Sequence, residues 1–259
     1  MLSFATKEHG LANKNFYKVP NGPDSYVSSC IGINAVERKV KGLPGRAPEA
    51  FPPPIEPIAF LVEQAANSRL PGHYHQADQF QVFVSGEGSF GIKPITGMTV
   101  HYAMAFTPYA PIHATTSPIE YYTLRNGWDP GAQWMPEKKA GLMSREHPYR
   151  HGLGMVPALV GETDGPTEIE GLLEQQVVPF EQDGLGATLY QSTSAVTIKG
   201  PQPDTGRGQY WLVLKGHCMI NGHAASVRSM AFATPDEAAP TIIAGAEGVS
   251  ILMMQFPKR

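Results

Sequence analysis

Short runs of alternating apolar and polar residues, or of clustered β-branched and aromatic residues, recur along the chain. Side chains alternate between the two faces of a β-strand, so both kinds of run indicate strands. Turn sequences rich in Gly and Pro separate the runs and leave little room for long helices. Strands are predicted within residues 26–40, 58–65, 79–92, 98–106, 119–127, 185–200, 209–220 and 248–256. This spacing favours an all-β fold, either a barrel or a sandwich.

Two parts of the chain lack this pattern. Residues 1–25 are polar and turn-rich and predict an N-terminal arm, whereas residues 129–166 predict a long connector with room for a short helix.

Between them, QFQVFVSGEGSFGI at residues 79–92 is the clearest hairpin signal in the chain. Gly86 and Gly88 can supply the positive φ that a tight turn requires.

The two halves of the chain share a sequence frame. QFQVFVSG at residues 79–86 has Gln and Gly at the same spacing as QYWLVLKG at residues 209–216. Downstream, AFTP at residues 105–108 resembles FATP at residues 232–235. An internal duplication with an offset of about 130 residues is the simplest explanation.

The duplication predicts two similar β domains in tandem. We expect an arm and a first strand in residues 1–50, a first domain in residues 51–150 and a second domain in residues 151–259. The sites of the two domains can then be compared position by position.

Charge and targeting signals exclude several classes of function. The net charge is −3 and the Lys and Arg residues are scattered, so the basic patch of a nucleic-acid-binding protein is missing from the sequence. The N-terminus lacks the pattern of a secretory signal, and no run of about 18 apolar residues predicts a membrane span. We therefore expect a cytoplasmic protein, in which Cys30 and Cys218 are buried free thiols.

Three polar side chains share one face of the predicted strand before Gly86. His73, His75 and Gln79 are separated by even numbers of residues, so they converge if that face lines a barrel interior. An antiparallel return strand could bring His113, in FTPYAPIH, opposite His75. Imidazoles and an amide oxygen in one volume are typical of a transition-metal site.

These residues resemble the two motifs of the cupin superfamily, G(X)5HXH(X)3E(X)6G and G(X)5PXG(X)2H(X)3N. His73 and His75 match the HXH, and Gly86 lies at the expected distance after them. Pro108 and His113 have the spacing of the second motif. The resemblance implies a bicupin, with two double-stranded β-helix (jelly-roll) barrels and a divalent metal inside the first.

The chain departs from both motifs at several positions. Most importantly, Gln79 stands where the motif has Glu; the other departures are Asn67, Tyr102, Ala110 and Ser117. In the second half, the positions that correspond to the three histidines are Pro203, Thr205 and Pro240. We therefore expect the second barrel to be free of metal.

The resemblance implies a metal-dependent enzyme, with Fe(II) favoured and Zn, Ni, Mn or Cu as alternatives. Because Gln79 is neutral, a bound metal would keep its full charge and attract an anionic small molecule. This favours a dioxygenase that acts on a small organic acid or an enolisable substrate. The alternatives are a non-catalytic bicupin that binds a metal or a small ligand, and a metal-dependent isomerase or lyase. Cupins often dimerise through arms and barrel edges, so a homodimer through residues 1–50 is also open.

The sequence also contains candidate catalytic groups other than the metal ligands. Tyr102 and Tyr109 are candidate proton donors or acceptors, and Arg125 is a candidate partner for a carboxylate or an enolate. Gln79 has a counterpart, Gln209, in the half that lacks the histidines, so a structural role for Gln79 is equally open. His101 is expected to be packed or on the surface, and the pair formed by His147 and His151 is interpreted as chance, because Pro148 lies between them.

Overall fold

The computed structural model describes residues 2–19, 22–47, 51–143 and 149–259. Up to residue 155 the strands are β1 (Ser3–Ala5), β2 (Lys14–Lys18), β3 (Asp24–Ile31), β4 (Ile58–Gln64), β5 (Arg69–Leu70), β6 (His73–Tyr74), β7 (Gln79–Ser85), β8 (Gly88–Phe90), β9 (Lys93–Ile95), β10 (Thr99–Ala103), β11 (Ile112–Ala114), β12 (Ile119–Arg125), β13 (Gln133–Trp134) and β14 (His151–Met155). The later strands are β15 (Leu173–Val178), β16 (Gly186–Ser192), β17 (Thr197–Lys199), β18 (Gln209–Ile220), β19 (His223–Ser226), β20 (Met230–Ala233) and β21 (Thr241–Gln255).

Helices are short throughout the described residues. They are α1 (Lys7–Ala12), α2 (Ala35–Val40), α3 (Ala140–Met143) and a 3₁₀ helix at Pro203–Thr205. The prediction of an all-β fold is confirmed. None of the helices in the described ranges is long and apolar enough to cross a membrane.

The chain divides into two compact units. The first contains residues 10–154, and the second contains residues 155–259 together with residues 1–9. The segment expected to form an arm contributes β1 to the second unit, where it pairs with β20, and β2 to the first, where it pairs with β3. Phe4 packs against the apolar core of the second unit, which explains why this turn-rich segment is structured.

Two antiparallel sheets enclose the core of the first unit. Seven strands form one sheet in the order β14-β10-β7-β12-β4-β3-β2, and β5-β11-β8-β9 form the other. Phe60, Phe83 and Tyr121 from the large sheet meet Ile95 and Ile112 from the small one. Burial of these side chains, at roughly 25 cal/mol per Å² of apolar surface, is the main force that holds the sheets together.

The inward face of the large sheet changes from apolar at one end to polar at the other. Phe83 in β7 lies opposite Tyr121 in β12, whereas Gln79 lies opposite Arg125 two inward positions further along each strand. Because every second residue of a strand points inward, the strand register places these polar side chains inside the barrel. This polar end holds the candidate site.

The predicted hairpin at residues 79–92 is wrong. β7 and β8 lie in different sheets, and the chain crosses between them at Gly86. Gly86 has φ +82°, and a Cβ there would collide with the carbonyl oxygen of Pro118, so only glycine fits. A turn that needs glycine looks the same in sequence whether it joins two paired strands or leads from one sheet to another.

The second unit has one eight-stranded antiparallel sheet. Its main order is β1-β20-β18-β21-β16-β15, with β17 on β21 and β19 on β18. Gly216, the counterpart of Gly86, also has positive φ (+74°) and packs against the carbonyl of Gly248. Register shifts beside it let the long strand β18 bend around the core. The glycine of the frame therefore has positive φ and a backbone carbonyl beside it in both units, although the strand ends just before Gly86 and continues through Gly216.

Both cysteines are free and buried, as the sequence predicts. Burial raises the pKa of the Cys30 thiol to about 12, and it raises the pKa of the Cys218 thiol to about 12 as well. Since the thiolate is the nucleophile, we expect neither thiol to react with Ellman's reagent at pH 8 in the folded protein. Both should react in 6 M guanidinium chloride, and rapid reaction of either thiol without denaturant would contradict the structure.

Candidate functional site

A cavity of about 280 Å³ lies inside the first unit, between the two sheets. Its apolar wall includes Val27, Phe60, Val62, Leu70 and Tyr121. Its polar end includes His73, His75, Gln81, Tyr109 and Arg125. A small, mostly apolar cavity with a few converging polar groups is the usual form of a ligand site.

Only one of the two histidines lies in a strand, although the sequence predicts a single strand through both. His73 belongs to β6, His75 follows it, and a bend precedes Gln79 at the start of β7. The ring centroids of His73 and His75 are nevertheless 5.0 Å apart. Therefore the structure brings the predicted pair together with Gln79, but by a turn rather than by strand alternation.

His73 is held as a neutral imidazole. Its Nδ1 lies 2.7 Å from the carbonyl oxygen of Pro71, which can only accept, so Nδ1 carries the proton. Its Nε2 therefore accepts a hydrogen bond from the phenol of Tyr109, at 2.7 Å. Burial, with a further contribution from His75, lowers the pKa of His73 to about 3.

His75 is paired with a buried carboxylate. Its Nδ1 donates to Oδ1 of Asp129 at 2.8 Å, and the other carboxylate oxygen accepts from the backbone N–H of Gln76 at 2.7 Å. Oδ1 also accepts from the backbone N–H of Gly131. Burial alone would raise the pKa of Asp129, but Arg125, His75 and the hydrogen bond from Gln76 outweigh it and hold that pKa below its usual range. The aspartate is therefore ionised.

Arg125 connects the parts of the site. Its Nη1 lies 3.2 Å from Oδ1 of Asp129, and both Nε and Nη2 donate to Oε1 of Gln79, at 3.3 and 3.2 Å. Nη2 also lies 3.1 and 3.2 Å from the two ring nitrogens of His75. Nearly equal distances to both nitrogens place the guanidinium over the face of the imidazole. Burial, and then the charge of Arg125, lower the pKa of His75.

Tyr109 completes the polar end of the cavity. Its hydroxyl accepts a hydrogen bond from Nε2 of Gln79 at 3.0 Å while it donates to His73. A β-bridge pairs its backbone with that of His73. Burial raises the pKa of Tyr109 well above the usual value, so the phenol keeps its proton.

The structure does not bring His113 to this site. Ile112 and Ala114 point into the core, so His113 between them points to the opposite face of β11. In β11 His113 pairs with Arg69 and Ser89, and the side chain that lies beside His73 is Tyr109 rather than a third imidazole. The spacing of the second motif predicted that the chain around residues 109–113 returns to the site. It did not predict which face of β11 carries His113.

Of the three catalytic candidates, Tyr109 and Arg125 lie in the site and Tyr102 does not. Tyr102 is fully buried on the other face of β10, where its ring packs against Phe80. His101, on the cavity side of the same strand, is buried, and its ring nitrogens contact Gln81 and His151 at 3.0 and 3.1 Å. His151 is thus held by packing, and His147 lies outside the described residues.

The sequence reasoning missed Asp129. This residue lies in a turn at the start of the predicted connector, in a stretch without periodicity. The available signal was an aspartate four residues after a strand-terminal arginine, which the fold converts into an ion pair. Nothing in the local pattern indicates that His75 is its second partner.

Comparisons with solved structures identify the fold. A candidate dioxygenase from Nostoc punctiforme has a TM-score of 0.62 at 12% identity, over 98% of this chain and 81% of that chain. The bacterial pirin YhhW from Escherichia coli, in complex with nickel(II), has a TM-score of 0.57 at 12% identity, over the full length of both chains. Hazelnut vicilin has a TM-score of 0.52 at 8% identity, over 98% of this chain and 85% of that chain.

This chain has the cupin fold. The prediction of two cupin barrels in tandem is confirmed. No protein-family model matches the chain, and no curated protein matches it in sequence. Because the neighbours include a candidate dioxygenase and a nickel-bound pirin, a metal-dependent enzyme is compatible with the fold, but identities this low show the fold alone.

The two cupin units share the frame of the site with an offset of 130 residues. Gln79 opposite Arg125 in the first unit corresponds to Gln209 opposite Gln255 in the second. Gln209 donates to Oε1 of Gln255 at 2.7 Å, and Thr205, at the place of His75, also contacts Gln255. In both units the Gln of the frame, Gln79 or Gln209, therefore forms a hydrogen bond with the inward side chain opposite it on the neighbouring strand.

The donor set of the first cupin unit does not fit a metal ion. Within residues 2–19, 22–47, 51–143 and 149–259, no group of three His, Cys, Asp or Glu side chains could hold one. The Nε2 lone pair of His73 already accepts from Tyr109, and Arg125 lies over the ring of His75. A metal about 2.1 Å from Nε2 of His75 would lie roughly 4 Å from this guanidinium, whose charge alone, before the attraction of Asp129 is counted, would repel it by about 8 kcal/mol at an effective dielectric constant of about 20.

The ion pair of Arg125 and Asp129 should stabilise the first unit strongly. We expect Asp129→Asn to lower the free energy of unfolding by about 3–5 kcal/mol, because it leaves a buried guanidinium without its counter-ion. Lys14→Gln, which breaks the half-exposed pair with Glu63, should cost at most about 1 kcal/mol. Urea unfolding followed by tryptophan fluorescence measures both, and equal losses would contradict the assignment.

Proposed function

We propose that the first cupin unit binds a small organic acid in its cavity and catalyses a proton transfer on it, as isomerases and lyases do, without a metal ion. The observation that carries this proposal is the asymmetry of the buried ion pair. Arg125 lines the cavity, whereas its counter-ion Asp129 is fully buried behind His75 and does not line it. A ligand thus meets the cation and not the carboxylate.

The cavity supports a small ligand with an apolar body. Its volume of about 280 Å³ equals that of roughly nine water molecules at about 30 Å³ each. An acid with on the order of ten non-hydrogen atoms fits this space. Its carboxylate would lie at Arg125, while its body would contact Phe60, Val62 and Tyr121.

The groups around Arg125 support acid–base chemistry. His75 is neutral and Asp129 holds the proton on its Nδ1, so Nε2 is the nitrogen that can take a proton from a carbon next to the ligand's carbonyl group. The imidazolium that forms would be paired with Asp129, as in a catalytic triad. Tyr109 can turn its hydroxyl proton from Nε2 of His73 to the enolate oxygen, and His75 then returns the proton that it holds to a neighbouring carbon or to a leaving group.

Binding of an acid would favour the transfer of a proton to His75. The charge of Arg125 over the imidazole face disfavours protonation of His75 in the free protein. A bound carboxylate offsets that charge, so His75 becomes a better base when the cavity holds an acid.

Binding can be tested with matched ligands. We expect benzoate, but not benzamide, to raise the melting temperature, since a ligand at about one hundred times its Kd stabilises a protein by about 2.7 kcal/mol. Arg125→Gln should abolish the shift, whereas Arg69→Gln, which removes an exposed arginine of the same unit, should leave it unchanged. An equal response to the acid and the amide would exclude Arg125 as a carboxylate partner.

Catalysis can be tested by isotope exchange. In D₂O, the protein should accelerate loss of the proton signals next to the carbonyl of small 2-oxo acids, measured by NMR. Tyr109→Phe should slow the exchange by about 10²-fold, as expected for loss of a hydrogen bond to the enolate. Tyr102→Phe is the matched control, because Tyr102 points away from the cavity. Binding without exchange would leave a ligand-binding protein and exclude the catalytic half of the proposal.

The metal-dependent dioxygenase expected from the sequence is the second candidate. One observation favours it: Nδ1 of each histidine donates to an oxygen acceptor, as is usual for histidines that bind a metal through Nε2. Oxygen uptake by Fe(II)-loaded protein with small organic acids, lost in His75→Ala, would favour this candidate over the first.

A further inference from the structure

We infer that Arg125 and Tyr109 keep transition metals out of the first cupin unit, so that replacing both side chains would turn the pair of His73 and His75 into a metal site. The inference concerns what excludes a metal and does not depend on the proposed ligand or reaction. It starts from the positions of the two side chains relative to the imidazole nitrogens.

Tyr109 occupies the volume that a metal would need beside His73. Its hydroxyl oxygen lies 2.7 Å from Nε2 and donates to the lone pair of the neutral ring. Zinc binds an imidazole nitrogen through the same lone pair, at about 2.0–2.1 Å. Because Gln79 also donates to this hydroxyl, the phenol is held in place from two sides.

Arg125 supplies a fixed positive charge beside the other histidine, His75. Contacts with Asp129 and with Gln79 hold its guanidinium across the face of His75. An arginine cannot lose its proton at any ordinary pH, so this charge opposes a divalent cation under all conditions in which the protein folds. The positive charge inside this barrel is therefore carried by the side chain of Arg125.

The second unit indicates which replacement the scaffold accepts. Gln255 stands at the place of Arg125, fully buried, and its amide bonds with Gln209 and the carbonyl of Gly184. Arg125→Gln therefore introduces a side chain that the same frame already holds elsewhere in this chain. Tyr109→His supplies a third imidazole next to His73, where the β-bridge brings the two backbones together.

Measurement of bound metal tests whether Tyr109 and Arg125 exclude it. The full-length protein, its variants and an Arg69→Gln control are incubated with Ni(II) or Zn(II), desalted and measured by mass spectrometry. We expect far less than one metal per chain in the native protein and in Arg69→Gln. The double variant Tyr109→His with Arg125→Gln should hold about one metal per chain, and adding His75→Ala should remove it.

Two results would overturn the inference. One is about one metal per native chain that is lost in His75→Ala, and the other is a double variant that keeps its circular dichroism spectrum but binds no metal. If the double variant does not fold, Tyr109→His with Arg125→Lys removes the contacts of the planar guanidinium and keeps the charge opposite Asp129. This variant should also exclude metal, and stoichiometric binding by it would contradict a role for the charge. The benzoate assay is read independently of all these outcomes.

Discussion

The buried ion pair of Arg125 and Asp129 is the interaction on which the site depends. The strand register brings Arg125 inside the barrel opposite Gln79, and a charge there is tolerable only with a counter-ion and hydrogen bonds. Asp129 supplies both, and it also fixes the tautomer of His75. The ionisation of the aspartate and the tautomer of the imidazole follow from this cluster, whereas burial and the charge of Arg125 keep the imidazole neutral.

Much of the fold and part of the candidate site could be predicted from the sequence, because they depend on strand periodicity and glycine geometry. The β runs, the duplication and the pair of His73 and His75 are predicted from spacing, whereas Arg125 is a candidate because of the chemistry of its side chain. The face of His113 and the partner of β7 could not be predicted, since both are decided by how the chain turns in loops. Asp129 was missed because long-range contacts, rather than its neighbours, give it a role.

The site also illustrates how a cupin barrel can keep its shape while its chemistry changes. His73 and His75 retain the orientation that favours metal ligation, with each Nδ1 bound to an oxygen. The groups beside their Nε2 atoms are not metal ligands of the usual kind, because the phenol of Tyr109 lies beside His73 and the guanidinium of Arg125 lies beside His75. Proton transfer and recognition of carboxylates are the chemistry that such groups perform best.

The recurrence of the Gln and Gly frame has a wider consequence. Since Gln79 and Gln209 make the same kind of cross-strand contact, the chain contains its own reference copy of the scaffold. Positions that agree between the units, such as Gln79 and Gln209, belong to the shared scaffold, and positions that differ, such as Arg125 and Gln255, give the interior of each unit its own chemistry. Two units with the same frame thus provide within one chain the contrast that is normally obtained by aligning relatives.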